Sequence, residues 1–443
     1  MDMTSAGSRT RVPPWAVGCA AMFACGWGGN QFTPLLIMYR QTNGYSATVV
    51  DALLGAYVLG LAPALLAGGA LSDRFGRRRI VLLAIVASGL GSVSLASDSL
   101  PYLFTGRLLS GVALGLGMTV GTSWVTELTV EGGQGLVVGA RRASLSLTAG
   151  FGAGAGVAGM LAQWGPWPGS LPYFVHVALA AFVLVAVVRW TTATQPKPGG
   201  RRPRATGPRL PSLRQRRFRR LVLPMAPWVF GAAGVAYAIL PQTMAHLMGH
   251  WALLYATALT VATLGAGVLV QPVARRLDHA HRPRALVASM VAISFGIGLA
   301  ALSVALASPW LGAAAAVVLG LAFGVALVSG LIEVQRLSRP DDIVAMTGVY
   351  YALTYVGFLM PTALAVAGRW AHTDLELCVL AMMALGCTLF IATGRALPST
   401  TDLAAPPREG PSQASGSCRW GPISDRSASL RRSLAYQDWC QYG

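Results

Sequence analysis

Three ionisable side chains stand a turn or more inside long apolar stretches of this 443-residue chain: Asp51, Arg107 and His176. A charge in hydrocarbon costs at least ~2.5–3.5 kcal/mol on insertion scales, so such a group faces a cavity or a partner. The chemistry open to them is carriage of a proton, which requires a suitably shifted Asp, Glu or His. Asp51 is the first candidate for that role, Arg107 the cation that tunes it and His176 the reserve. Capping of a helix end is the competing role for Asp51. Elsewhere the sequence offers little for catalysis. No pair of carboxylates, nucleophile–base set or metal cluster appears at depth, so a membrane enzyme is the less favoured class. The six cysteines (Cys19, Cys25, Cys378, Cys387, Cys418 and Cys440) form no CxxC and no ligand spacing. His246 and His250 share a helix face but sit at a loop. No metal, cofactor or disulfide is expected.

The elements that must position these groups are membrane helices. Hydrophobic residues make up 54% of the chain and charged residues 11%, against about 25% charged in soluble domains. Twelve apolar runs approach the ~20 residues that span a bilayer: 15–39, 47–71, 80–97, 101–125, 143–163, 171–190, 221–245, 251–273, 285–307, 310–332, 343–367 and 373–394. The expected fold is all-α, with twelve transmembrane helices in two pseudo-symmetric six-helix bundles. The first run is too long for a cleavable leader and lacks a small-residue cleavage site.

A net charge of +18 invites a nucleic-acid reading. The positions of the charges argue against it. With a cytoplasmic amino terminus, the inner loops ahead of the tail carry 26 Lys and Arg, and the outer loops carry two, Arg40 and Arg369. That is the positive-inside pattern, and Trp164, Trp167, Trp251, Trp310 and Trp370 mark the outer boundary. The expected setting is therefore the cell membrane, with both termini cytoplasmic and the lipid bilayer, not nucleic acid, as surroundings.

The chain divides into residues 1–14, an amino-terminal bundle 15–191, a basic Pro/Gly-rich mobile linker 192–220, a carboxy-terminal bundle 221–396 and a disordered tail 397–443. A shift of 198 positions lays Gly69 on Gly267, Leu71 on Leu269, Arg77 on Arg275 and Arg78 on Arg276. Glu127 and Glu333 echo each other more loosely. Each precedes basic residues, Arg141 with Arg142 and Arg336 with Arg339, and each is expected in an inner-face ion-pair network.

The turn after the second run reads "GGALSDRFGRRR". Gly69, Leu71, Asp73, Arg74, Gly76, Arg77 and Arg78 resemble the signature of the major facilitator superfamily, a resemblance that extends in architecture over residues 12–396. It implies a twelve-span secondary transporter whose cluster latches the two halves together when the outer side is open. Gly69 permits close helix approach, Gly76 a positive φ, and Asp73 an ion pair or helix cap. Stop-transfer charges would explain the arginines but neither Asp73 nor the glycines.

The family's fourth span carries an Arg-x-x-x-Gly motif tied to proton coupling in exporters, matched by Arg107 and Gly111. In span five "GFGAGAGVAG" contains a formal GxGxxG, but a dinucleotide site needs a strand before it. Its small residues suit helix packing. Gly150, Gly154 and Gly159 match the antiporter branch, whereas Ala155 and Ala158 replace its proline and a glycine.

The family places substrate at the midplane between its halves, which makes Asn30, Gln31, Tyr237, Gln242, Tyr350, Tyr351 and Tyr355 lining candidates. Bonding between helices is the alternative for each. The expected function is proton-coupled efflux of a small organic compound, by a monomer. The rivals are import of a sugar or organic acid and a transporter-like sensor without flux. The stretch after span six lacks the Pro-Glu-Ser-x-x-Arg pattern of sugar porters.

Overall fold

The computed structural model describes residues 12–191, 211–277, 284–339, 343–368, 370 and 372–393, and these are helical throughout apart from short turns. The first bundle comprises α1 (Pro14–Asn30), α2 (Leu36–Thr42), α3 (Ala47–Phe75), α4 (Arg77–Leu95), α5 (Leu100–Leu116), α6 (Thr122–Glu131), α7 (Leu136–Trp164) and α8 (Leu171–Trp190). The second comprises α9 (Leu223–Gly234), α10 (Leu240–Met248), α11 (Ala252–Leu269), α12 (Gln271–Leu277), α13 (Arg284–Ala305), α14 (Pro309–Leu337), α15 (Ile343–Tyr355), α16 (Met360–Ala367) and α17 (Thr373–Thr393).

Ten helical stretches among the described residues are long and apolar enough to cross a membrane. Two places separate this count from the expected twelve. The stretch Phe218–Ala274 is 57 residues long, about 85 Å at 1.5 Å per residue, far beyond one crossing. It reverses at Gly249, whose φ of 52° breaks the helix. The first span falls short because α1 ends after 17 residues and α2 resumes the path beyond a 3₁₀ turn at Thr33–Leu35.

Several helices outrun their apolar segments. α3 continues to Phe75, α14 to Leu337 and α6 to Glu131, because polar residues end the hydropathy signal without ending the backbone hydrogen bonds. Gly76 is what stops α3: its φ is 86°, and its N–H still closes on the Ser72 carbonyl. Ser46 and Ser308 cap α3 and α14 by accepting the Val49 and Leu311 N–H groups. Within the expected linker 192–220, Pro211–Arg214 forms a 3₁₀ turn, a π-helical turn begins at Phe218, and Arg217 pairs with Glu333. Residues 192–210 and the expected tail 397–443 lie outside the described residues.

The repeat is visible in the packing. In the first bundle Gly111 and Gly115 of α5 lie against the Tyr57 and Leu61 carbonyls of α3. In the second, Gly320 and Gly324 of α14 lie against Thr263 and Gly267 of α11. An added Cβ at any of the four would meet backbone, so both contacts are built at glycine spacing. Gly150 and Gly154 of α7 press likewise on Phe23 and Trp27 of α1. Gly159 instead meets the Thr257 side chain of α11, in the other bundle. The expected packing role of Gly69 is not seen. Its Cβ position faces open space, and the neighbouring Gly68 makes the close approach, to Thr119.

Candidate functional site

Interrupted helices mark the site. Between α1 and α2, Thr33 donates from Oγ1 to Asn30 Oδ1 (2.8 Å), and the Asn30 amide donates to the Phe151 carbonyl (3.2 Å). π-helical turns interrupt the fourth span at Gly117–Gly121 and the seventh at Val235–Ile239. A 3₁₀ turn at Val356–Leu359 separates α15 from α16. Broken backbone at membrane depth is tolerated where protein or a cavity covers it. Here the breaks surround a cavity of about 420 Å³.

At mid-depth the cavity wall holds Asn30, Thr33, Tyr57, Arg107 and Tyr237. Towards the face that carries the basic loops it continues to Ser144, Thr148, Gln271 and Gln335. A slab of rings forms one side: Phe230 stacks on Tyr355 at 4.1 Å and on Phe358 at 4.9 Å between centroids. The size is within the ~300–1,000 Å³ of small-molecule sites.

The opposite face is shut by hydrogen bonds between the bundles. Arg40 donates to Gln242 Oε1 (2.9 Å), and Gln242 Nε2 donates to Asp51 Oδ1 (2.7 Å). Thr362 donates to the Asp51 carbonyl (2.8 Å), and Thr48 to the Ala365 carbonyl (3.3 Å). Trp164, Trp167, Trp251, Trp310 and Trp370, all exposed, ring this same face.

Of the expected lining residues, Asn30, Tyr237, Tyr351 and Tyr355 reach the cavity. Three do not. Gln31 turns into the first bundle, where its amide donates to Ser92 Oγ (2.7 Å). Gln242 belongs to the closed face. Tyr350 is fully buried against α14 and donates to the Leu327 carbonyl (3.0 Å). Residues the sequence reading passed over include Tyr57, Phe151, Phe230, Phe323 and Phe358. Helical spacing was the available signal: Phe230 with Tyr237, and Tyr351 with Tyr355 and Phe358, fall at i, i+4 or i+7.

The coupling candidates are separated. Arg107 does not pair with Asp51. Its Nε donates to the Leu53 carbonyl (3.1 Å) and Nη1 to the Gly29 carbonyl (3.3 Å), while Phe32 and Tyr57 cover its two sides. His176 is buried between α1 and α4. Nε2–H donates to the Ala24 carbonyl (2.9 Å), which leaves Nδ1 to accept from Ser92 Oγ (2.8 Å).

At the basic face, Arg77 pairs with Glu127 (2.6 Å) and Arg78 caps α8 through Thr191 Oγ1 and the Val188 carbonyl. Arg74 lies over the Phe75 ring, and Leu71 packs beside the first bundle's inner core. Of the residues expected in the inner-face ion pairs, Glu127 pairs with Arg77, and Arg141 is exposed. Glu333 pairs with Arg217 (2.5 Å) and more distantly with Arg336 (3.9 Å). Asp73 is exposed, with no hydrogen bond or ion pair among the described residues.

Asp73→Asn should therefore leave the melting temperature of this state unchanged and still lower transport. Normal transport by that variant at normal expression would remove Asp73 from the mechanism.

Helices that enclose one cavity, shut at one face by contacts between bundles, define a multi-pass membrane carrier of small solutes. The chain belongs to the Major Facilitator Superfamily, whose family model matches residues 17–362. Among its relatives, the human solute carrier family 2, facilitated glucose transporter member 12 is 30% identical over 146 residues, 30% of this chain and 24% of that protein. A gallate transporter of Pseudomonas putida is 33% identical over 125 residues, 28% of this chain and 26% of that one. The match thus spans about a quarter of the length of these relatives.

Two solved structures share the fold. The nucleoside transporter NupG superposes with a TM-score of 0.71 at 12% identity, covering 87% of this chain and 100% of NupG. A D-xylose–proton symporter gives 0.64 at 15%, covering 87% and 98%.

Proposed function

We propose that the protein is a secondary active transporter that moves a small organic compound outward by alternating access, coupled to protons. It works in the cell membrane as a monomer with both termini cytoplasmic, and performs no covalent chemistry on its cargo. One observation carries this reading: the central cavity runs to the basic face and is closed from the other by Asp51, Gln242 and Arg40. Basic loops face the cytoplasm under the positive-inside rule, so this is an inward-facing state. Asp51 supports the coupling, being a titratable group built into the closure itself. Arg107 with Gly111 supports the outward direction through its likeness to the exporters' fourth-span motif.

The test is flux in proteoliposomes. Orientation is scored by impermeant thiol labelling of Ser99→Cys, expected outside, against Gln134→Cys, expected inside. A compound selected by stabilisation screening should move against its gradient when the proton gradient runs oppositely. Absence of flux for every stabilising compound would make the protein a sensor. Movement in the same direction as protons would make it an importer.

A further inference from the structure

Arg107 is the only charged residue lining the cavity among the described residues. Its side chain is 1% exposed, yet no carboxylate neutralises it. Its hydrogen bonds go to two main-chain carbonyls, Leu53 and Gly29. The titratable groups that act on it are Tyr57, Tyr173, Tyr237 and Tyr39. Asp51 is engaged with Gln242 at the closed face. Guanidinium carries five N–H donors, and Nη2 has no hydrogen-bond partner among the described residues.

A buried cation without a counter-ion is costly. The flanking rings offset only part of that cost: Phe32 and Tyr57 lie 4.7 and 4.6 Å from the guanidinium carbon. Nothing in the first bundle completes the site. The cargo can. Beside the cation, Tyr57, Phe230, Tyr355 and Phe358 form a continuous aromatic wall, suited to a flat apolar body.

We infer that the central cavity takes an organic anion: a compound whose carboxylate seats on the free edge of Arg107 and whose aromatic body lies against that wall. The inference rests on the transporter reading for its setting, but its test is binding and needs no flux. The break after Asn30 contributes. A helix uninterrupted there would send the Gly29 carbonyl to an amide one turn on, and Arg107 would lose one of the two acceptors that aim it.

Isosteric probes test this on purified wild-type protein: 3-phenylpropionate and 2-naphthoate, their primary amides, and 3-phenylpropylamine. Thermal stabilisation should be saturable for the acids, about tenfold or more weaker for the amides and absent for the amine. Hydrogen bonds to a charged group support that ratio. Arg107→Gln should bring acid and amide to the same affinity, and Arg107→Lys should restore part of the preference. If Arg107→Gln fails to fold, the wild-type series alone decides. Amides or the amine matching the acids, or no acid binding at all, would overturn the inference. Flux of neutral or cationic compounds in that case would leave the transporter reading intact. Tight acid binding without flux would do the reverse.

Discussion

Asp51→Asn should abolish accumulation driven by a pH gradient while leaving exchange at zero gradient close to wild type. The substitution is nearly isosteric. It keeps the Oδ1 acceptor for Gln242 Nε2 (2.7 Å) and does not touch the backbone bond from Thr362, so the closed face retains its geometry. Only titration is lost. A coupling group must bind its proton differently in the two access states, and Asp51 changes surroundings when the bundles part, because its partner Gln242 belongs to the other bundle. Asp51→Ala should behave differently. It removes the bond to Gln242, loosens the closure and impairs exchange as well. Reconstituted vesicles with and without an imposed pH gradient separate the two. If Asp51→Asn remains coupled, Asp51 is a gate residue alone. His176 would then be the next candidate, although both its ring nitrogens are engaged away from the cavity.

Removing one partner of the Arg217–Glu333 pair should be the most destabilising change on the basic face. The side chains are 6% and 3% exposed and 2.5 Å apart. Deleting one member of such a pair leaves the other charged and dry, at a cost of about 3–5 kcal/mol. Glu333→Ala should thus lower the melting temperature and surface expression sharply. Arg77→Ala, at a half-exposed pair, should cost about 1 kcal/mol or less. The double change Arg217→Met with Glu333→Leu should recover most of the stability, since a packed apolar pair carries no desolvation penalty. Equal losses for Glu333→Ala and Arg77→Ala would show that the Glu333 pair is reached by water.

The fold was legible because the bilayer imposes length and charge sign on the sequence directly. The turn at Gly76 was legible for a related reason: few residues other than glycine adopt φ near 86°. The site was legible only in part. Asn30, Tyr237, Tyr351 and Tyr355 declared themselves as polar groups in apolar spans, which marks burial but not direction. Tyr350 and Tyr351 are adjacent, about 100° apart around a helix, so polarity alone does not say which of them faces the cavity. Choosing between them needed the neighbouring helix. Gln31 and Gln242 failed for the same reason, since each found a partner that sequence cannot display, Ser92 and Asp51. The π-helical turns were not legible because the glycines and prolines beside them, Gly117, Gly121, Gly234 and Pro241, are equally compatible with an uninterrupted membrane helix.

Most contacts of α7 fix it to its own bundle, through Gly150 and Gly154 on the α1 backbone. Its glycine-made contacts across the divide are Gly159 on the Thr257 side chain and, more loosely, Gly156 on Val261. That makes the helix a lever with a short arm and a long one. Ser144 and Leu147, which line the cavity near the basic face, lie 12 to 15 residues from Gly159, roughly 18–22 Å along the axis. A rocking of about 10° at the Gly159 fulcrum carries that end by about 3–4 Å, close to the thickness of an aromatic ring. The Gly159–Thr257 contact therefore need hardly move for the cavity mouth to close on its contents. A side chain larger than glycine at 159 would shift the pivot and lengthen the stroke required.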